Sequence, residues 1–151
     1  MITEDYVNFE TAKLLKEKGF NEGCRQYLYR DNLVFSRSEI WNRQLDNYEE
    51  EGWTMPTLQM AKKWLEEVHH ILVVADYVYE CTNTSWVYKI YRLGENGKPE
   101  RVVVKGVSYD ENNNPTEHIT GYRDYELSYE DYATRKEAED EGIRYVLEKY
   151  V

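Results

Sequence analysis

The 151-residue chain has little cysteine: Cys24 and Cys81 only. Two thiols cannot build the multi-bridge framework that staples small secreted domains, so the sequence predicts a reducing, cytoplasmic setting with free thiols. No apolar run approaches the ~20 residues of a bilayer-spanning helix, so no membrane partner is expected. The opening residues, MITEDYVNFE, are acidic and lack the basic-then-apolar form of a secretory signal. Positive charge is scarce as well, with 19 Lys and Arg against 29 Asp and Glu and a net charge of −10. Phosphate neutralisation by Lys and Arg supplies most non-specific nucleic-acid affinity, so direct nucleic-acid binding is not expected.

Histidine is equally sparse, at three residues. His69 and His70 are adjacent, so on a helix they diverge by about 100° and do not converge on one ion. With no HExxH and no CxxC, neither a metal nor any other cofactor is expected. Two histidines ending a helix read instead as cations favoured by its C-terminal dipole. Cys24 lies near Glu22, and Cys81 lies between Glu80 and Thr82; neither has the electropositive surroundings that make a thiolate nucleophile. There is no GxSxG elbow, and Gly94 and Gly97 lie in a hairpin turn without the following helix of a phosphate loop. No motif indicates an enzyme.

Tyrosine is abundant, with 15 residues against three Phe. A large apolar body with a polar tip suits half-buried sheet faces and interfaces alike. Charge is uneven too: residues 11–30 are locally basic, whereas 124–142 carry eight Asp and Glu against two Lys and Arg. By length the chain predicts one domain.

The stretch Thr57–Glu80 organises that domain. Pro56 ends what precedes it, Thr57 is placed to cap a helix, and Leu58, Ala61, Leu65 and Val68 share one helical face. After His69-His70 the period becomes that of a strand, and both of its faces begin apolar, which predicts a central strand over 71–78 covered on each side at least over its first half. Earlier, Asn8 starts a helix that Gly19 ends, with Phe20 and Leu15 at the contacting positions of a Schellman motif. Cys24–Phe35 reads as a hairpin turning at Asp31-Asn32. Residues 36–55 give no clear period, and either an irregular helix or a long loop fits them. Beyond 80, strands over 85–93, 101–109 and, more weakly, 118–127 are joined by short turns, which predicts an antiparallel meander. Thr134 and Glu137 fit a capping box opening the last helix, and Gly142 within it predicts close approach to the sheet. Asn8, Thr57 and Thr134 each precede an alanine by four residues (Ala12, Ala61, Ala138), as three helices laying a small residue on a sheet would.

Three segments, NFETAKLLKEKGF, PTLQMAKKWLEEVH and TRKEAEDEGIRYVLE, together resemble a family of small proteins without assigned activity that is frequent in gut Bacteroidetes genomes, prophages and mobile elements. The resemblance implies a bacterial or phage cytosolic setting and transfers no site residue.

The expected fold is therefore α+β: a mainly antiparallel sheet of about 4–6 strands with helices over 8–18, 57–70 and 134–150 packed largely on one face, and a Tyr-rich opposite face. The leading functional expectation is a non-catalytic protein–protein interaction protein, with an unknown protein partner or a second copy of itself, whose surface includes Tyr77, Tyr79, Tyr88, Tyr91, Glu137, Asp140 and Glu141. A second reading is a small-ligand binder or enzyme whose site, gathering His69, His70 or His118 with carboxylates and Tyr hydroxyls, assembles only in three dimensions. A third is an acidic DNA mimic, its 124–142 carboxylates forming one solvent-facing stripe. Lys105–Tyr109 shares a basic–Gly–aromatic fragment with RNA-recognition strands but lacks the stacking aromatics, and reads as a solvated hairpin.

Overall fold

Helix starts and stops follow the local chemistry of the sequence. In the computed structural model, which describes residues 4–79 and 84–151, the Asn8 side chain accepts the Thr11 N–H at 2.9 Å and opens α1 (Phe9–Glu17). Gly19, at φ +94°, closes it: Phe20 N–H donates to Leu15 O at 2.8 Å and Gly19 N–H to Lys16 O at 3.1 Å, the two bonds of a Schellman ending. The Thr57 hydroxyl accepts from Met60 N–H at 3.1 Å ahead of α3 (Leu58–His69), and the Thr134 hydroxyl from Glu137 N–H at 3.1 Å ahead of α4 (Arg135–Lys149). Ala12, Ala61 and Ala138 are all fully buried, as their matched spacing predicts.

The architecture is α+β with antiparallel pairing, but the strands form three small sheets rather than one, and there are four helices among the described residues. The first sheet has the order β2-β1-β3, from β1 (Cys24–Tyr29), β2 (Asn32–Ile40) and β3 (Gly52–Thr54). Its hairpin turns one residue earlier than expected: Arg30 and Asp31 take φ of 49° and 59°, the left-handed pair that a two-residue turn requires. Residues 36–55 are neither a long loop nor one irregular helix. They finish β2, form the single turn α2 (Asn42–Leu45) and supply β3. Asn42 locks this region to α1, its Nδ2 donating to Phe20 O at 2.8 Å while its Oδ1 accepts Thr54 N–H at 3.0 Å.

The second sheet, β4-β5-β8, comprises β4 (Ile71–Tyr79), β5 (Thr84–Arg92) and β8 (Glu126–Leu127). Here the central strand is β5, and β4 is an edge among the described residues. Ile71 and Val73 are buried beneath α4, while Leu72 is half-buried and Val74 exposed on the other face. The connection at 80–83, with Cys81, lies outside the described residues.

The expected meander stops one strand short. After Arg92, Glu100 N–H donates to Arg92 O at 2.7 Å and Leu93 bridges Pro99, so a hairpin begins. It cannot continue, because the same edge of β5 is occupied from another direction. Lys89 and Ile90 pair with Leu127 and Glu126, Ser128 N–H donates to Tyr88 O at 2.9 Å, and Trp86 bridges Tyr132. Displaced from that edge, β6 (Val102–Tyr109) and β7 (Pro115–Arg123) pair only with each other among the described residues, as a two-stranded ribbon.

The helices join the first two sheets rather than covering one face of a single sheet. α4 lies across β4 and β5, α1 touches both α4 and β3, and α3 adjoins β4 and α4. Their common core includes Leu15, Phe20, Leu65, Ile90, Ile143 and Leu147. Gly142 permits the closest approach: a Cβ there would stand 2.8 Å from Val73 Cγ1 and 3.0 Å from Tyr88 Cβ.

Candidate interaction surface

The seven residues expected to form an interaction surface fall in separate environments. Tyr77, Tyr79 and Tyr88 alternate onto the helix-facing side of the second sheet, since Tyr77 pairs with Trp86 and Ala75 with Tyr88. Tyr88 lies beneath α4 at 8 % exposure, its ring centroid 6.0 Å from Tyr132 and 5.7 Å from Tyr145, and burial pushes its hydroxyl pKa up. It is a core residue. Tyr77 and Tyr79 lie toward the far end of β4 and are exposed, Tyr77 edge-on to Trp86 at 5.2 Å. Tyr91 stands alone of the set on the opposite face, half-buried, 5.5 Å from Tyr125, whose ring also lies under Lys89 at 4.7 Å. That face is mixed rather than Tyr-rich, with Leu72, Val74, Asp76 and Val78 on β4.

The acidic members divide in the same way. Glu137 is exposed in the first turn of α4, and Glu141 pairs with Arg144. Asp140 is 4 % exposed and belongs to the interior: Oδ1 accepts Asn8 N–H at 2.9 Å, and Oδ2 accepts the Thr11 hydroxyl at 3.0 Å. Burial raises its carboxyl above the ordinary range, against the lowering effect of those two bonds. Two further acids of the 124–142 segment also turn inward. Glu139 is buried between Arg135 Nε at 2.8 Å and Lys62 Nζ at 3.2 Å. Glu126 pins β8 to α4, Oε1 accepting from the Tyr145 hydroxyl at 2.9 Å and Lys149 Nζ at 2.8 Å, and Oε2 from the Tyr150 hydroxyl. Partial burial alone would raise Glu126, but these donors outweigh it and hold the carboxyl below its usual range. The segment therefore does not present one solvent-facing stripe of carboxylates.

The histidines do not converge either. His69 meets Trp64 edge-on at 4.7 Å; burial, then the neighbouring His70, lowers its pKa. Burial thus disfavours the cation expected at this helix end. His70 caps α3 in the left-handed conformation at φ 58°, and His118 lies on the exposed ribbon. Among the described residues no three His, Cys, Asp or Glu side chains gather to hold a metal ion. Cys24 is buried, its thiol donating to Glu22 O at 3.5 Å, and burial pushes its pKa up to about 11. A thiol so held is protonated at neutral pH and is no nucleophile. An open cleft of about 420 Å³ lies between the starts of α3 and α4, but its Lys62 and Arg135 are already paired with Glu139, and no histidine or tyrosine lines it.

The ribbon is the surface that sequence reasoning missed. Val103 pairs with Tyr122, Lys105 with Ile119, Val107 with Glu117 and Tyr109 with Pro115, so these eight side chains share one face. Val103, Val107, Tyr109, Ile119 and Tyr122 on it retain between 42 % and 66 % exposure. The face is mainly apolar and is crossed at its middle by the Lys105–Glu117 pair at 3.5 Å. Thr120 is the extra residue of a bulge in β7, and its hydroxyl donates to Val104 O at 3.1 Å. The available signal was the polarity of Thr116, Glu117, His118 and Thr120, which marks β7 as a strand covering no core.

Comparison of the chain with protein-family models, with curated proteins and with solved structures gives no match.

Proposed function

We propose that this protein is a non-catalytic interaction protein that docks a protein partner on the apolar face of its β6–β7 ribbon. One observation carries the reading. A two-stranded ribbon of eight residues, about 26 Å long at ~3.3 Å per residue, is marginal in water by itself. This one also exposes five large apolar side chains on one face, around the central Lys105–Glu117 pair, instead of laying them on the core. Contiguous exposed apolar surface of this kind marks association sites. Leu33 and Phe35 on β2 are exposed too, but they make a patch of two residues against five. A bacterial or phage cytosolic setting, implied by the resemblance of the three helical segments, is part of the same proposal.

The test is affinity capture under a salt series, comparing the natural chain with a variant carrying Val107→Ser, Ile119→Ser and Tyr122→Ser. These positions support no core, so thermal unfolding is expected to change little, within about 0.5 kcal/mol per substitution. Partner recovery is expected to fall at least about tenfold, equivalent to about 1.4 kcal/mol. Because the face is apolar, recovery by the natural chain should persist at salt concentrations that screen exposed charges. Equal recovery by the variant would overturn the reading.

A further inference from the structure

The two edges of the ribbon differ. β7 begins with Pro115, which has no N–H, and is interrupted by the bulge at Thr120. Both are devices that discourage a further strand. β6 has neither, and Lys105 is the one charged residue in its sequence VVVKGVSY. The turn at its end fixes which of its groups are free. Asp110 N–H donates to Asn114 O at 3.1 Å, so by antiparallel alternation Ser108 and Gly106 bond toward β7. Lys105, Val107 and Tyr109 then direct their N–H and C=O groups outward, along an edge that no other strand joins among the described residues.

Charge and register together bear on the occupant. Residues 101–123 carry Arg101, Lys105 and Arg123 against Asp110, Glu111 and Glu117, so the ribbon is neutral on a chain of net charge −10. Two copies of this acidic chain can meet there without a net charge of one sign on both ribbons. We infer that a second copy of the chain adds its β6 to this edge, forming an antiparallel four-stranded sheet across a two-fold axis; this rests on reading the ribbon as a docking surface. A two-fold must match outward-bonding residues with one another. Centred on Lys105, it would oppose two lysines. Centred on Val107, it sets Lys105 of each strand opposite Tyr109 of the other, a favourable cation–aromatic pair. The pairing is isologous, as in most dimers. One shared strand edge buries less than the roughly 1,200 Å² of standard interfaces, which places the dimer at the weak end of the range.

Sedimentation equilibrium of the full chain, across the micromolar range, tests this with two matched variants. Val107→Pro removes an outward N–H from the β6 edge without touching a β6–β7 bond; Glu117→Pro does the same on the β7 edge. The natural chain and Glu117→Pro are expected to dimerise, with Val107→Pro weakened at least tenfold. Val107→Lys, which sets like charges at the axis, is expected to behave as Val107→Pro does and covers the case in which the proline variant fails to fold. A monomeric natural chain, or equal weakening by Val107→Pro and Glu117→Pro, overturns the inference. Should the chain stay monomeric while the serine variant still loses a different captured protein, the self-pairing fails and the docking reading stands.

Discussion

Asn42→Ala is expected to lower the unfolding free energy by about 2–4 kcal/mol, read as a reduced urea midpoint at unchanged slope. Asn42 is 4 % exposed and holds two otherwise separate backbone groups, the Phe20 carbonyl after α1 and the Thr54 N–H on β3. Alanine leaves both without their side-chain partner, and each buried unsatisfied group costs about 1–3 kcal/mol. Asn42→Asp is expected to do no better. It keeps the acceptor for Thr54 but loses the donor to Phe20, and it places a carboxylate in a buried site. The effect should reach α1 as well, because Phe20 closes that helix and meets Trp64 edge-on at 5.4 Å.

Gly142→Ala is the second large effect, and its sign separates two opposed forces. Helix propensity alone favours alanine in mid-helix by about 1 kcal/mol. Against this, the new Cβ would lie 2.8 Å from Val73 Cγ1 and 3.0 Å from both Cβ and Cγ of Tyr88. Those atoms lie near the backbone of β4 and β5 and have little freedom to move, so α4 must lift from the sheet. Overpacking a close-packed core costs about 1–3 kcal/mol, so net destabilisation is expected, and Gly142→Leu should be more damaging still. The check is thermal unfolding together with near-ultraviolet circular dichroism, which reads the packing of Tyr88 against Tyr132 and Tyr145. A stabilised alanine variant would mean that the approach of α4 to the sheet is looser than described.

The features that were legible in the sequence are those decided within a few residues. The caps at Asn8, Thr57 and Thr134, the Gly19 ending and the close approach at Gly142 all depend on short-range chemistry, and each occurs where the residues indicate. Sheet topology depends instead on distant competition. Glu126–Tyr132 takes the second edge of β5, and only two of those residues form a strand, too few to give a period. That capture displaced β6 and converted an expected meander into a free ribbon. Residues 36–55 were unreadable for a related reason: α2 has four residues and β3 three, below the length at which periodicity speaks.

The candidate surface was less legible, because residue type alone does not report burial. Tyr88 and Asp140 are of kinds often found outside, yet α4 covers the first, and the amide and hydroxyl of Asn8 and Thr11 satisfy the second. The ribbon failed in the opposite sense. Val103, Val107 and Ile119 are core types, and what exposes them is the lack of a covering layer among the described residues, a property of the whole fold rather than of any segment.

The most direct test of the ribbon as a docking surface is a photo-crosslinking residue placed at Tyr109, compared with one at Val68, which is exposed at the end of α3. The account predicts a protein adduct from position 109, with the second copy or another chain identified by mass, and little from position 68. Equal adducts at both positions, or none at 109 while the chain remains folded, would contradict it.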